Sequence, residues 1–160
     1  NSLGVLAIGS ASQLSLTTQS RAQRPYVPTA VKLNAVSYPV HTADALVVSW
    51  AHRNRLGTWD YADAGETASP ETGCTYRIKI YGEAGTLIHT ESGLTGTSWT
   101  YPTATEISES GGLGRLNNRL RVVVESLNAG AQASQQAYDF TAERAGWGMR
   151  YGQYWGGVAA

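Results

Sequence analysis

The sequence predicts an all-β fold, an antiparallel β-sandwich with irregular N- and C-terminal extensions. Two observations carry that prediction. Short apolar stretches alternate with polar residues at the two-residue period of a strand, and clusters of Gly, Pro, Asp, Asn and Ser separate them. No stretch carries a convincing amphipathic-helix pattern. The count of about seven short strands is that of a two-sheet sandwich.

Taken in order, "QLSLTTQ" alternates Leu14, Leu16 and Thr18, but it and "LGVLAIG" are too little to bury a core alone. Pro25 and Pro28 mark an extended entry into an edge strand, because proline fixes φ and donates no ladder hydrogen bond. Val31, Leu33 and Ala35 then share a face, and a turn in "SYPVHTAD" leads to the strand "ALVVSW", in which Trp50 is a core residue. The segment from Ala51 to Gly73 is rich in Gly, Pro, Asp and Ser, and such long loops tend to be functional. In "CTYRIKIY", Tyr76, Ile78 and Ile80 face one way and Arg77, Lys79 and Tyr81 the other. "GEAG" turns the chain back into "TLIHTE". "SWTY" gives one more short strand, Ala104–Ser108 a helical turn, and "GGLGR" a loop. Leu120, Val122 and Val124 share a face of the next strand, and Ala137–Phe140 is material for the last. Residues 1–24 therefore read as the end of a preceding region or a linker. Residues 25–143 read as the sandwich, and residues 144–160 as a glycine- and aromatic-rich extension. A start at Asn1 rather than Met predicts a fragment or processed form of something longer.

Composition narrows the function classes. Charged residues make up 15% of the chain and hydrophobic residues 42%, which does not suit a disordered polymer. Twelve basic and twelve acidic residues balance to zero formal charge, so the basic footprint of a nucleic-acid-binding domain is missing. Cys74 is the single cysteine, which excludes an intrachain disulfide and a cysteine metal cluster and leaves a small buried thiol as its plain reading. No apolar run approaches the ~20 residues of a membrane-spanning helix.

Catalytic signals are weak. His41, His52 and His89 lack the close spacing of metal ligands, and no cofactor is expected. Asp60, Asp63, Glu66 and Glu71 share the long loop and read as solvated charges rather than a catalytic carboxylate pair. "GGLGR" is neither a P-loop nor G-x-G-x-x-G, and no G-x-S-x-G elbow occurs. The expectation is that the chain is not an enzyme. What stands out is aromatic. Nine Tyr and five Trp contrast with one Phe, and aromatics with a polar tip suit contact surfaces. Trp59 and Tyr61 in the long loop, and Trp147, Tyr151, Tyr154 and Trp155 in the extension, are the candidate residues for binding a partner or a glycan. In "RAGWGMRYGQYWGG" the glycines let the backbone lie close to a surface while the aromatics supply burial, so the extension reads as a strap over its own domain or a neighbour.

A proline-marked first strand, a Trp ending "LVVSW" and the tyrosine-bearing "YRIKIY" resemble a fibronectin type III-like module. That family usually places Tyr at a corner of the sixth strand. Leu120 in "NRLRVVV" stands there instead, so a tyrosine-corner hydrogen bond is not expected. The stretches "RPYVPTAVKLNAVSYP", "VVSWAHRNRL", "SPETGCTYRIKIYGEAGTLIHTESGLTGTSWTYPTATEI", "RLNNRLRVVVES" and "RAGWGMRYGQYWGG" together resemble the C-terminal part of tail proteins of long-tailed bacteriophages. This resemblance spans roughly residues 24–157, and its motifs are structural. It implies a structural virion component of the tail tip or baseplate, acting in tail assembly and in host attachment. Other phage tail proteins would be its partners, a homotrimer one assembly state, and a host-surface receptor a further contact. A host-surface glycan- or pilus-binding adhesin module, using the loop aromatics, is the alternative. A cell-wall-sugar enzyme is a third reading.

Overall fold

The computed structural model describes residues 21–39, 41–42, 45–55 and 69–144. Among the described residues, eight strands form two packed sheets, accompanied by a 3-10 turn at Arg21–Gln23 and a single short helix. One sheet has three strands, β1 (Thr29–Leu33), β3 (Leu46–Ala51) and β6 (Ser98–Tyr101), in the order β1-β3-β6. The other has five, β2 (His41–Thr42), β4 (Thr75–Tyr81), β5 (Leu87–Leu94), β7 (Arg119–Leu127) and β8 (Tyr138–Arg144), in the order β2-β8-β7-β4-β5. Helix α1 (Thr103–Glu109) joins β6 to β7. Every pairing is antiparallel except the two-residue contact of β2 with β8, which is parallel. This is the two-sheet β-sandwich that the strand pattern predicts.

The alternation read from sequence produces the core directly. Inward residues of the smaller sheet are Val31, Leu33, Leu46, Val48, Trp50 and Tyr101. They meet Tyr76, Ile78, Ile80, Leu120, Val122, Val124 and Ala142 from the larger one. Register keeps each set on one face, with Ile78 opposite Val124 and Ile80 opposite Val122. Trp50 is 4% exposed, and its ring tilts against that of Tyr76 at 5.2 Å between centroids. The turn in "GEAG" closes with the Gly85 amide donating to the Gly82 carbonyl at 2.9 Å, and Gly85 sits at φ +77° where a side chain would be strained.

Three sequence expectations need adjusting. Ala35 does not continue β1: it lies in a turn at φ +67°, exposed. The "SYPVHTAD" turn contains β2, whose two residues are too few to show a period. The last strand runs through Arg144, one residue past the boundary expected for the extension, and that residue is buried.

Arg144 belongs to a buried polar corner under α1. Glu106, on the inward side of the helix and fully buried, accepts from both Nη1 and Nη2 of Arg144 at 2.7 Å. The Asn117 backbone amide and Nδ2 donate to the same carboxylate, while the Asn117 carbonyl accepts from Arg144 Nη1. Asn117 Oδ1 in turn accepts from the Glu83 amide in the β4–β5 turn. These bonds tie the helix, the loop after it, the hairpin turn and the last strand together, at the end of the sandwich where β7 begins.

Candidate functional site

Among the described residues, the exposed aromatics Tyr26 and Tyr38 lie toward one edge of the sandwich. Because Thr29 of β1 pairs with Ala51 of β3, the segment before β1 runs beside the segment after β3. Tyr26 and Arg53 meet there, with the guanidinium 4.9 Å from the ring centroid. Because β2 runs parallel to β8, residues just before β2 lie alongside the start of β8. Tyr38 and Tyr138 meet there, with stacked rings 6.0 Å apart and hydroxyls 3.1 Å apart. Arg53 links the two pairs, since its charge acts on the Tyr138 phenol. That phenol nevertheless titrates above its ordinary value. The hydrogen bond to Tyr38 is the larger cause and burial the next.

Tyr38 is 70% exposed, Tyr26 51% and Val36 54%, so three large apolar side chains face solvent on this edge. The backbone that presents them is strained. Four of the five non-glycine residues with positive φ among the described residues are Ala30, Asn34, Ala35 and Tyr38. An aromatic at φ +50° is costly, and such outliers concentrate where a side chain must be held in a set place. Asn34 braces the strain. Its side chain donates to Thr42 Oγ1 and to the Ala45 carbonyl, and accepts from the Val47 amide at 2.8 Å. The edge is therefore a rigid tyrosine surface of the kind that anchors protein contacts.

A second cluster spans the opposite edge of the sandwich, between β5 and β6. The His89 ring stacks against Trp99 at 5.4 Å and lies 4.9 Å from Tyr101. Its Nδ1 lies 2.8 Å from Glu109 Oε2, which also accepts from the Tyr101 hydroxyl. Burial, with the Glu109 hydrogen bond second, pushes the Tyr101 phenol far up, so it stays a neutral donor. One carboxylate oxygen thus holds two elements of different sheets, and the arrangement is a clasp.

A third cluster frames the long loop. The Glu71 carboxylate accepts from the Arg55 amide at 3.1 Å and from Arg55 Nε at 2.9 Å. Glu71 is 6% exposed, so it is a buried pin across the base of the loop rather than a solvated charge. Nearby, His52 Nδ1 lies 2.7 Å from the Tyr76 hydroxyl. Burial lowers the His52 pKa and raises that of Tyr76, so neutral imidazole accepting from neutral phenol fits both shifts. Cys74 is the buried thiol expected of it, and burial followed by the charge of Glu71 raises its pKa, which disfavours the nucleophilic thiolate.

The sequence-predicted binding residues Trp59, Tyr61, Trp147, Tyr151, Tyr154 and Trp155 lie outside the described residues, as do Asp60, Asp63 and Glu66. The tyrosine edge was missed because its members are spread from residue 26 to residue 138 and no motif joins them. Its one local signal is "RPYVP", where prolines flank a tyrosine. Among the described residues no group of three or more His, Cys, Asp or Glu is arranged to hold a metal ion, and no helix is long and apolar enough to cross a membrane.

No protein-family model and no curated protein matches the chain. A solved structure that it is similar to is the Clostridium perfringens spore cortex lytic enzyme SleM, at a TM-score of 0.43 and 9% identity over 74% of this chain. The match covers 28% of that enzyme's chain. A likeness at this level transfers neither fold nor activity. It does correct one expectation: the sequence reading set enzymes aside, yet a chain similar to this one belongs to a lytic enzyme, and the exclusion of catalysis is withdrawn.

Proposed function

We propose that this chain is a structural component of a bacteriophage tail, at the tip or baseplate, and that its sandwich docks a neighbouring tail protein through the tyrosine edge. The observation that carries this reading is the exposure of Tyr26 and Tyr38, at 51% and 70%, with Tyr26 held under Arg53 and Tyr38 against Tyr138. Rigid, amphipathic tyrosines lose little conformational entropy on contact and supply large buried area, which is why they recur at the centres of interfaces. The likeness of residues 24–157 to the C-terminal part of tail proteins supplies the setting, and the virion tail is then the protein's location. Mass spectrometry of purified virions, with cryo-electron microscopy of the tail tip, tests it. The chain is expected in mature particles with density at the tip, and its absence from them overturns the proposal.

A further inference from the structure

Tyr38 and Tyr138 are 100 residues apart in sequence, yet their hydroxyls are 3.1 Å apart and their rings stack at 30° between planes. Among the described residues no other tyrosine pair shares such a contact. The Tyr101 hydroxyl is held by Glu109, Tyr76 is paired with His52, Tyr26 lies under Arg53, and Tyr81 lies under Arg121. Tyr138 is fixed by the β8 ladder, opposite Val124. Tyr38 is 70% exposed, so a soluble oxidant reaches its ring, and its strained backbone keeps that ring against its partner.

We propose that this pair is an oxidative coupling site, which a one-electron oxidant of phenols, peroxide acting through a haem peroxidase, converts to an intramolecular dityrosine. Oxidation removes one electron and one proton from the Tyr38 hydroxyl, and a second oxidation does the same at Tyr138. The two phenoxyl radicals join through ring carbons ortho to oxygen, forming one carbon–carbon bond. Each ring then moves its displaced ortho hydrogen to oxygen and regains its phenol. Two electrons and two protons leave in total, and they reduce one hydrogen peroxide to two waters. The bond ties the segment before β2 to the start of β8, at the edge of the larger sheet where β2 contributes only two residues. A link between residues this distant in sequence restricts the unfolded chain and raises the thermal midpoint. The proposal does not depend on the tail assignment.

The test treats the dilute, purified chain with a haem peroxidase and hydrogen peroxide, then reads dityrosine fluorescence, intact mass, a peptide map and the thermal midpoint. The expected product is monomeric, lighter by two hydrogen atoms, cross-linked between Tyr38 and Tyr138, and higher in midpoint. Tyr38→Phe and Tyr138→Phe each abolish it while keeping the ring packing, and Tyr81→Phe leaves the yield unchanged. Cross-links that map to other tyrosines, products formed only between molecules, or no dityrosine after the peroxide is consumed would each overturn the assignment.

Discussion

The guanidinium of Arg144 grips the carboxylate of Glu106 through two parallel hydrogen bonds of 2.7 Å, in a site where neither side chain is more than 7% exposed. The pair joins the last residue of β8 to the helix between β6 and β7. Through Asn117, whose carbonyl accepts from the same guanidinium, it also fixes the loop that leads into β7. Removing one partner strands a buried charge, so Glu106→Ala or Arg144→Ala is expected to cost about 3–5 kcal/mol. Glu106→Leu combined with Arg144→Met is expected to recover only part of that loss, because it removes both buried charges but leaves the buried Asn117 amide groups and carbonyl without these partners. Urea denaturation of the three variants measures both quantities. Single variants within 1 kcal/mol of the wild type, on the order of an exposed pair, would show that the corner does not hold the fold.

Trp50 tests the core. Its ring fills the space between β3 and Tyr76, and Trp50→Ala should cost about 3–5 kcal/mol. Its Nε1 is buried without a hydrogen-bond partner among the described residues, so Trp50→Phe gives up no hydrogen bond and should cost clearly less than the alanine change. The buried Ser126 hydroxyl is likewise without a partner there, and Ser126→Ala should be neutral or stabilising. Chemical denaturation of the three variants ranks them, and a phenylalanine variant as damaged as the alanine one contradicts this picture of the site.

Stability should fall on both sides of a neutral plateau. Glu83 and Asp139 titrate below their ordinary values of 4.5 and 3.8 because Arg115 and Arg121 hydrogen-bond to them. Burial pushes Glu125 up, but Arg77 and Lys79 together bring it below 4.5. A carboxylate whose pKa is depressed by folding contributes stability above its unfolded value and loses it as pH falls through the folded one. The carboxylate loss therefore begins near pH 4.5, after a loss below pH 6.5 from His52, whose pKa burial lowers in the fold. On the alkaline side Cys74, Tyr76 and Tyr101 are all raised by burial first, so stability is complete below pH 9.0 and declines as pH climbs past 9.0 and 10.0. Urea midpoints measured across pH trace the curve. Glu125→Gln should flatten part of the acid limb and leave the alkaline limb alone; an unchanged acid limb would remove Glu125 from the account.

The sequence made the strands legible where one face is buried. Val48 and Trp50, Tyr76 to Ile80 and Leu120 to Val124 carry the two-residue period because alternate side chains must fill the core. The helical turn near Ala104–Ser108 was visible too, although not what it does. Glu106, Asn117 and Arg144 come from a short helix, a glycine-rich loop and a strand end, and sequence spacing holds no trace of their meeting. Glu71 was misread for a related reason. A carboxylate in a polar loop looks solvated until the fold supplies Arg55 across the loop's base. The tyrosine edge was hidden by the same rule, because only the β1–β3 and β2–β8 pairings bring residues 26, 38, 53 and 138 to one edge.

The claim that the tyrosine edge docks a neighbouring tail component is tested most directly by footprinting. Tyr26 and Tyr38 would be labelled by a phenol-selective reagent in the free chain and in assembled tails, with sites quantified by mass spectrometry. Strong labelling of both in the free chain and marked protection in the tail is the expected result. Equal labelling in the two states, or tails that lack the chain, would contradict it.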